Sequence, residues 1–460
     1  MPITAQPLSA YLDQANSLID RAQIPATPLE RCSTPVKDLL QTAYVIDVHT
    51  HFFDINCVNA RYFLKRVLKD FLSGNQAMSL SLQDQQFLAG EIQAVLEGGD
   101  DAKAEAMVEA ALGSNQNFAL NGSSSGWNAV INYLKAVPFL FMKSMAKVHD
   151  HYMEESSLAE YFLPRRQQRH VITTALMMDL EIGWNVRIKK PFASQIEEVR
   201  ELSKTQAVLP FLFCDPRRAD LSGSANLYSL FNQAFAQEHG FFGVKIYPGL
   251  GYDPSDYRLW PIYELCQELD IPVLSHCGGP TISTENISLQ IFEGEKPVHL
   301  KAKNRKEMAY KLNAPERWQI ALDRFPNLKL NIAHFGGDIS WKPPYKHSTV
   351  DSRPRKDVIM DFMKSGKYPH VYADFSYNLV EPDLYRPLRQ LLDNDSIVRA
   401  KTLFGTDYWV VNQEGDLQQQ QTDFLTYMDM GVQADLSRIL AKNNPYEYLF
   451  GSTKGGSPLA

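Results

Sequence analysis

The chain has 460 residues, with 46 lysines and arginines against 53 aspartates and glutamates, for a formal charge of −7. Such mild acidity offers no basic stripe for nucleic acid, and 44% hydrophobic with 22% charged residues belongs to a folded chain, not a disordered one. Length alone allows about three domains, or one α/β barrel enlarged by insertions.

Residues 1–43 read as a helical extension. They hold no basic start followed by an apolar core, so no signal peptide is expected, and the longest apolar stretches, such as 136–142, are too short for a bilayer. Short β-rich runs then follow at 44–51, 170–179, 207–215, 240–248, 271–279, 328–337, 370–377 and 401–408. Helix-like segments separate most of them, for example 227–240, 261–270 and 316–326. In the second of these, Ile262, Leu265, Cys266 and Leu269 recur at helical spacing. From the second run onward the starts lie roughly 30 to 57 residues apart, as repeated βα units with variable loops would be. Eight alternating units favour an α/β fold closed into a (β/α)8 TIM-type barrel over 44–451. An open doubly wound sheet would need a phosphate-binding glycine turn, and no GxGxxG or Walker sequence is present.

The stretch between the first two strands is far longer than an ordinary βα connection. It reads as a helical insertion, 54–168, broken by NGSSSG at 121–126. Leaving the C-terminal end of the first strand, it is expected either to cap the barrel mouth or to form a packing elaboration remote from substrate. The QQQQ run at 418–421 is expected on a solvated helix face, and 452–460 is a C-terminal tail. Cys32, Cys57, Cys214, Cys266 and Cys277 are widely spaced with no CxxC pair, which suits reduced thiols and a cytoplasmic setting.

His49 and His51 stand two apart at a strand end. Period-two geometry puts both on one face with Asp47 behind them and Val48 on the other. Short patterns recur by chance, and His149-Asp150-His151 is a decoy: in a helix, two residues apart means about 200° around the axis, so this pair is read as a solvated helix end. The first pair gains weight from His276, His334 and Asp407, each ending an apolar run where barrel enzymes place their chemistry. Singly, each reads better as a satisfied core residue; together they make a site for zinc or a similar divalent ion. Lys245, between Val244 and Ile246, should face the interior with Tyr247.

These residues carry a family resemblance. IDVHTHF, VLSHCGG, NIAHFGGD, VYADFSY, LFGTDYW and NNPYEYLFG resemble the amidohydrolase superfamily, closest to its amidohydrolase-related branch. That branch includes metal-dependent hydrolases and aminocarboxymuconate-semialdehyde decarboxylase-like enzymes. The resemblance implies a distorted barrel with a metal at its mouth, held by His49, His51, His276 and Asp407. It makes His334 a second-metal ligand or a residue polarising the substrate. Thr406 stands where the family more often has Ser. For Lys245 it leaves three readings: a carbamylated lysine bridging two metals, a substrate-binding cation, or a structural ion-pair partner. One metal per chain is the expectation.

A divalent cation brings the pKa of bound water toward about 7. Asp407 would accept the proton and return it to the leaving group, and His334 would stabilise charge on a carbonyl oxygen. The same ligands serve a metal-dependent hydrolase of small organic substrates or a non-oxidative decarboxylase. Arg217 and Arg218, after the third strand, are candidate grips for a substrate carboxylate or else surface residues; Arg61 and Tyr62 rank lower. Asp374 and Ser376 are expected to hydrogen-bond ligands from behind, and Trp127 and Phe139 to belong to a core. A homodimer is a further expectation.

Overall fold

The structure, a computed structural model, describes residues 6–59, 62–63, 142–156, 171–237, 239–279, 282–342, 353–413, 416–433 and 435–451. Its strands in chain order are β1 (Val45–Asp47), β2 (Val171–Leu176), β3 (Val208–Phe213), β4 (Gly243–Ile246), β5 (Val273–Ser275), β6 (Ser288–Glu293), β7 (Lys296–Lys301), β8 (Leu330–Ile332), β9 (Val371–Asp374) and β10 (Thr402–Leu403). All but β6 and β7 pair in parallel, in the order β1-β2-β3-β4-β5-β8-β9-β10, and each falls inside one of the predicted runs. The ring closes between the extensions of β1 and β10. Val48 N–H donates to Phe404 O (3.3 Å), Asp407 N–H to His49 O (2.8 Å), and Thr50 forms a parallel bridge with Tyr408. The fold is an α/β (β/α)8 barrel.

Strand residues divide between two apolar clusters. Ile46, Ile172, Leu209, Phe211, Leu274 and Leu403 form one with Tyr448–Phe450 and Val36, so the last helix and the N-terminal extension plug the barrel. Val45, Val171, Leu212, Val244, Val273, Leu330 and Val371 belong to the other, with the surrounding helices. Helix Phe192–Thr205 shows why these segments are helical: Phe192, Ile196, Val199 and Leu202 are buried at a 3–4 residue spacing, while Glu201 and Lys204 face water. The segments predicted at 227–240, 261–270 and 316–326 form helices Leu227–Phe235, Trp260–Glu268 and Gln319–Arg324.

Most of the insertion, including Arg61, NGSSSG, Trp127 and Phe139, lies outside the described residues. Its two described ends meet, because Ile55 N–H donates to Met142 O (3.2 Å). Helix Met145–Glu155 packs on helix Phe192–Thr205, with Met145 N–H on Glu198 Oε1 (2.9 Å). It lies within the stretch read as the insertion and is joined to the barrel wall by these contacts. Met145, Val148, His149 and Tyr152 form its buried face. His149 is therefore packed edge-on to Phe52 (5.2 Å) instead of ending a solvated helix.

Other differences are smaller. β6 and β7 form an antiparallel hairpin that the sequence reading does not anticipate. Of the glutamine run, Gln418 and Gln419 are exposed, but Gln421 is buried and its Oε1 accepts from Ser156 Oγ (3.1 Å). None of the five cysteines forms a disulfide. Among the described residues no helix is long and apolar enough to cross a membrane.

Candidate metal centre

The strict alternation expected through β1 does not persist. Val48 packs with Ile46 in the inner cluster, and the Asp47 carboxylate takes the His49 N–H (3.1 Å). In a regular parallel ladder one residue both donates and accepts; here Val48 donates and His49 accepts. This bulge re-aims the strand end, as bulges beside active sites do. It turns His49 and His51 toward one carboxylate: Asp407 Oδ1 lies 3.3 Å from His49 Nε2 and 3.4 Å from His51 Nε2. Gly405 makes room for the approach, since a Cβ there would stand 2.7 Å from His49 Cβ.

The other ring nitrogens fix the tautomers. His51 Nδ1 faces Leu176 O (3.1 Å), and His49 Nδ1 faces Asp374 Oδ2 (3.1 Å). Both are acceptors, so each Nδ1 carries the proton and each Nε2 presents a lone pair. Asp374 is thoroughly anchored: it also accepts from Asn331 Nδ2 (2.8 Å), from the N–H groups of His334 and Ser376 (3.1 Å each), and from the Ser376 hydroxyl. Burial pushes its pKa up, but His49, His334 and these donors hold it well below the usual carboxylate range.

His276 and His334 stand beside this group and contact each other. His276 Nε2 faces Gly279 O (3.2 Å), so its Nδ1 is a lone pair. The Ser376 hydroxyl donates to Asp374, so His334 Nδ1, 2.9 Å from Ser376 Oγ, is the donor of that pair. His334 Nε2 is then a second lone pair, 3.0 Å from His276 Nδ1. Tyr247 stacks on His276 at 4.0 Å and 9°. His276 thus lies in the same cluster as His49, His51 and Asp407, but in this geometry its nearest ring partners are His334 and Tyr247, not Asp407.

Lys245 is fully buried and faces inward as expected, with Nζ 3.4 Å from His49 Nε2; burial lowers its pKa to about 8. Burial, then the Lys245 charge, lowers His49 to about 3, and burial lowers His51 and takes His276 well below its ordinary value. All three are neutral imidazoles near pH 7, the form that ligates metals. Burial raises the Asp407 pKa, but His49, His334 and His51 outweigh it and hold it at about 2. Two buried carboxylates therefore face one ammonium.

The cluster passes a chemical test for a divalent cation. Lone pairs and carboxylate oxygens confront one another without protons between them, and the charge balance is negative. Ligand atoms of His49, His51 and Asp407 all lie within 4.8 Å of one another. The same holds for His49, His334 and Asp374, but hydrogen bonds already account for that group.

A narrow pocket, with about 20 Å³ of space open to water, leads to the cluster past Phe53, Met178, Tyr247, Ile282, Trp409 and Val410. Neither candidate arginine faces it. Arg217 is bidentate to Asp215 (2.8 and 2.6 Å), and Arg218 pairs with Asp179 and with Glu181 (3.1 Å). Both guanidiniums are already committed to carboxylates. Sequence reasoning did not find Tyr152, whose phenol donates to Asp47 (2.9 Å); nothing in a helical tyrosine announces such a contact.

A barrel with a buried histidine–carboxylate cluster beyond the ends of its strands is laid out as an enzyme. Residues 233–447, a segment that holds Lys245, His276, His334, Asp374 and Asp407, match the amidohydrolase family model. No protein of curated function matches the sequence. Among solved structures the chain is similar to an amidohydrolase II, at 12% identity over 88% of this chain and 99% of that one, with a TM-score of 0.43. It is also similar to 4-oxalomesaconate hydratase from Rhodopseudomonas palustris (12%, 88% and 95%, 0.42). A third is uronate isomerase from Thermotoga maritima (10%, 94% and 99%, 0.40). These likenesses are loose.

Proposed function

We propose that the protein is a metal-dependent hydrolase that cleaves a C–N, C–O or C–C bond of a small organic substrate. The observation that carries this reading is the convergence of His49 Nε2, His51 Nε2 and Asp407 Oδ1, three acceptors with no proton to share. His49, His51 and Asp407 would hold one divalent cation, zinc or a similar ion, with His276 as the remaining ligand. When bound, the cation supplies Lewis acidity toward water and the substrate's carbonyl. Asp407, ionised and within reach of both histidines, takes the proton released by the attacking water and returns it to the leaving group. His334 is the group to stabilise negative charge on the carbonyl oxygen. Phe53, Tyr247 and Trp409 suit an apolar or aromatic portion of the substrate, and Lys245 suits an anionic one.

The test is turnover of lactones, amides and unsaturated carboxylic acids by the chain before and after chelation. The reading expects hydrolysis that stops when metal is stripped and returns with zinc. Full activity of the metal-free chain would overturn it. Release of CO2 with no water consumed would replace it by the non-oxidative decarboxylase on the same ligands.

A further inference from the structure

One buried network next to the cluster has no part in the reaction as written. Asp47 is fully buried and both its oxygens are engaged. Oδ1 accepts from the N–H groups of His49 (3.1 Å) and Thr406 (3.0 Å), and Oδ2 from the Thr406 hydroxyl (2.7 Å) and the Tyr152 phenol (2.9 Å). These donors come from three segments: the extension of β1 with His49 and His51, the turn with Asp407, and helix Met145–Glu155 on the barrel's outer wall. Thr406 Oγ1 also accepts from Tyr408 N–H (3.1 Å), so the turn is held on both sides of Asp407, whose φ of +62° is unusual for a non-glycine residue.

The helix grips the flanks of the ligands as well. Tyr152 packs edge-on to Tyr408 (5.0 Å) and Phe52 (5.8 Å), the neighbours of Asp407 and His51. His151 Nδ1 lies 2.9 Å from the Tyr408 hydroxyl. The helix is thus tied to both strands that supply the converging atoms.

Resting on the metal reading above, we propose that Tyr152 is a positioning residue which, through Asp47, sets the offset between the β1 extension and the Asp407 turn and hence the spacing of His49, His51 and Asp407. Loss of its hydroxyl leaves Asp47 with three donors and the ring packing intact, so the barrel should survive. Metal ligation tolerates about 0.2 Å of misplacement, so the ion is where a small slip would register.

The experiment measures zinc affinity and the rate of zinc loss to a chelator for wild type, Tyr152→Phe and Asp47→Asn, alongside thermal unfolding of each metal-free protein. Partners that orient metal ligands are typically worth about 10–100-fold in affinity. The expected result is a loss of that size in both variants, with faster release and metal-free unfolding close to wild type. Wild-type affinity in Tyr152→Phe would overturn this proposal alone, and so would variants that fail to fold without metal, which would make the network structural. A wild-type chain that binds no divalent ion would overturn the metal reading and this proposal with it.

Discussion

Asp407 and Asp374 are chemically the same group placed for different work. Asp374 spends both oxygens on five donors, which makes it the fixed point from which His49 and His334 are oriented. Asp407 keeps Oδ1 turned to two lone pairs. Removing the first should therefore destabilise the protein even without metal. Asp374→Ala leaves buried donors unsatisfied and should cost about 3–5 kcal/mol in urea unfolding of the metal-free chain; a cost below about 1 kcal/mol would mean that the anchoring described is not real. Protons test the neutral histidines. His49 at about 3, with His51 and His276 also lowered, takes up protons in the unfolded chain before the folded one as pH falls below about 6.5. Each contributes a loss of about 1.4 kcal/mol per pH unit inside its window. Asp47, raised to about 7 by burial, opposes this, since its folded form gains a proton first as pH falls from 7. Other buried groups titrate in the same range, so the contribution of His49 is read by difference: between pH 6.5 and 4.5 the metal-free wild type should lose more stability than His49→Gln. Urea midpoints that fall equally in the two proteins across that range would contradict the assignment.

At the scale of elements, the closure between β1 and β10 decides the site. Gly405 permits the two backbones to approach, and Gly405→Ala must push His49 aside or open the bulge. The expected outcome is a loss of zinc affinity of about 10-fold or more with the barrel still folded, read by chelator competition alongside circular dichroism. The loop after β3 behaves differently. Arg218, nearly buried and paired with Asp179, holds the fold, so Arg218→Met should cost about 3 kcal/mol or more by leaving a buried carboxylate unpaired while substrate KM stays put. A raised KM without destabilisation would restore it as a substrate grip. The sequence was a good guide to strands because each ends an apolar run in polar residues, so all eight barrel strands and Lys245 facing inward could be read directly. Pairing chemistry was not legible. Arg217 and Arg218 look identical to solvent-facing arginines until Asp215 and Asp179 are placed opposite them. The β6–β7 hairpin carried a signal that could have been used, since Leu289 and Ile291, then Val298 and Leu300, alternate around Gly294, whose φ is +61°.

Across the whole molecule, among the described residues, the histidine–carboxylate cluster lies beyond the C-terminal ends of the barrel strands, while Arg31 and Lys329 are buried near the N-terminal extension and the C-terminal helix. The C-terminal helix and N-terminal extension close the far end. That helix Met145–Glu155 packs on the barrel wall was not legible in the sequence, because the whole stretch reads as helical and no glycine or proline divides residue 127 from residue 155 except Pro138. A site whose binding atoms come from both ends of the sequence also predicts that metal and fold are linked: at a zinc concentration about 100 times its Kd, the holo-protein should gain about 2.7 kcal/mol over the stripped protein. An unfolding midpoint unmoved by zinc would argue against a site within the fold.

The most direct test of the metal centre is elemental analysis of the purified chain together with its crystal structure, using anomalous scattering to locate the ion. The account predicts one divalent cation per chain in contact with His49, His51 and Asp407, absent from His49→Ala. An ion bound elsewhere, or a chain that turns over substrate with none, would contradict it.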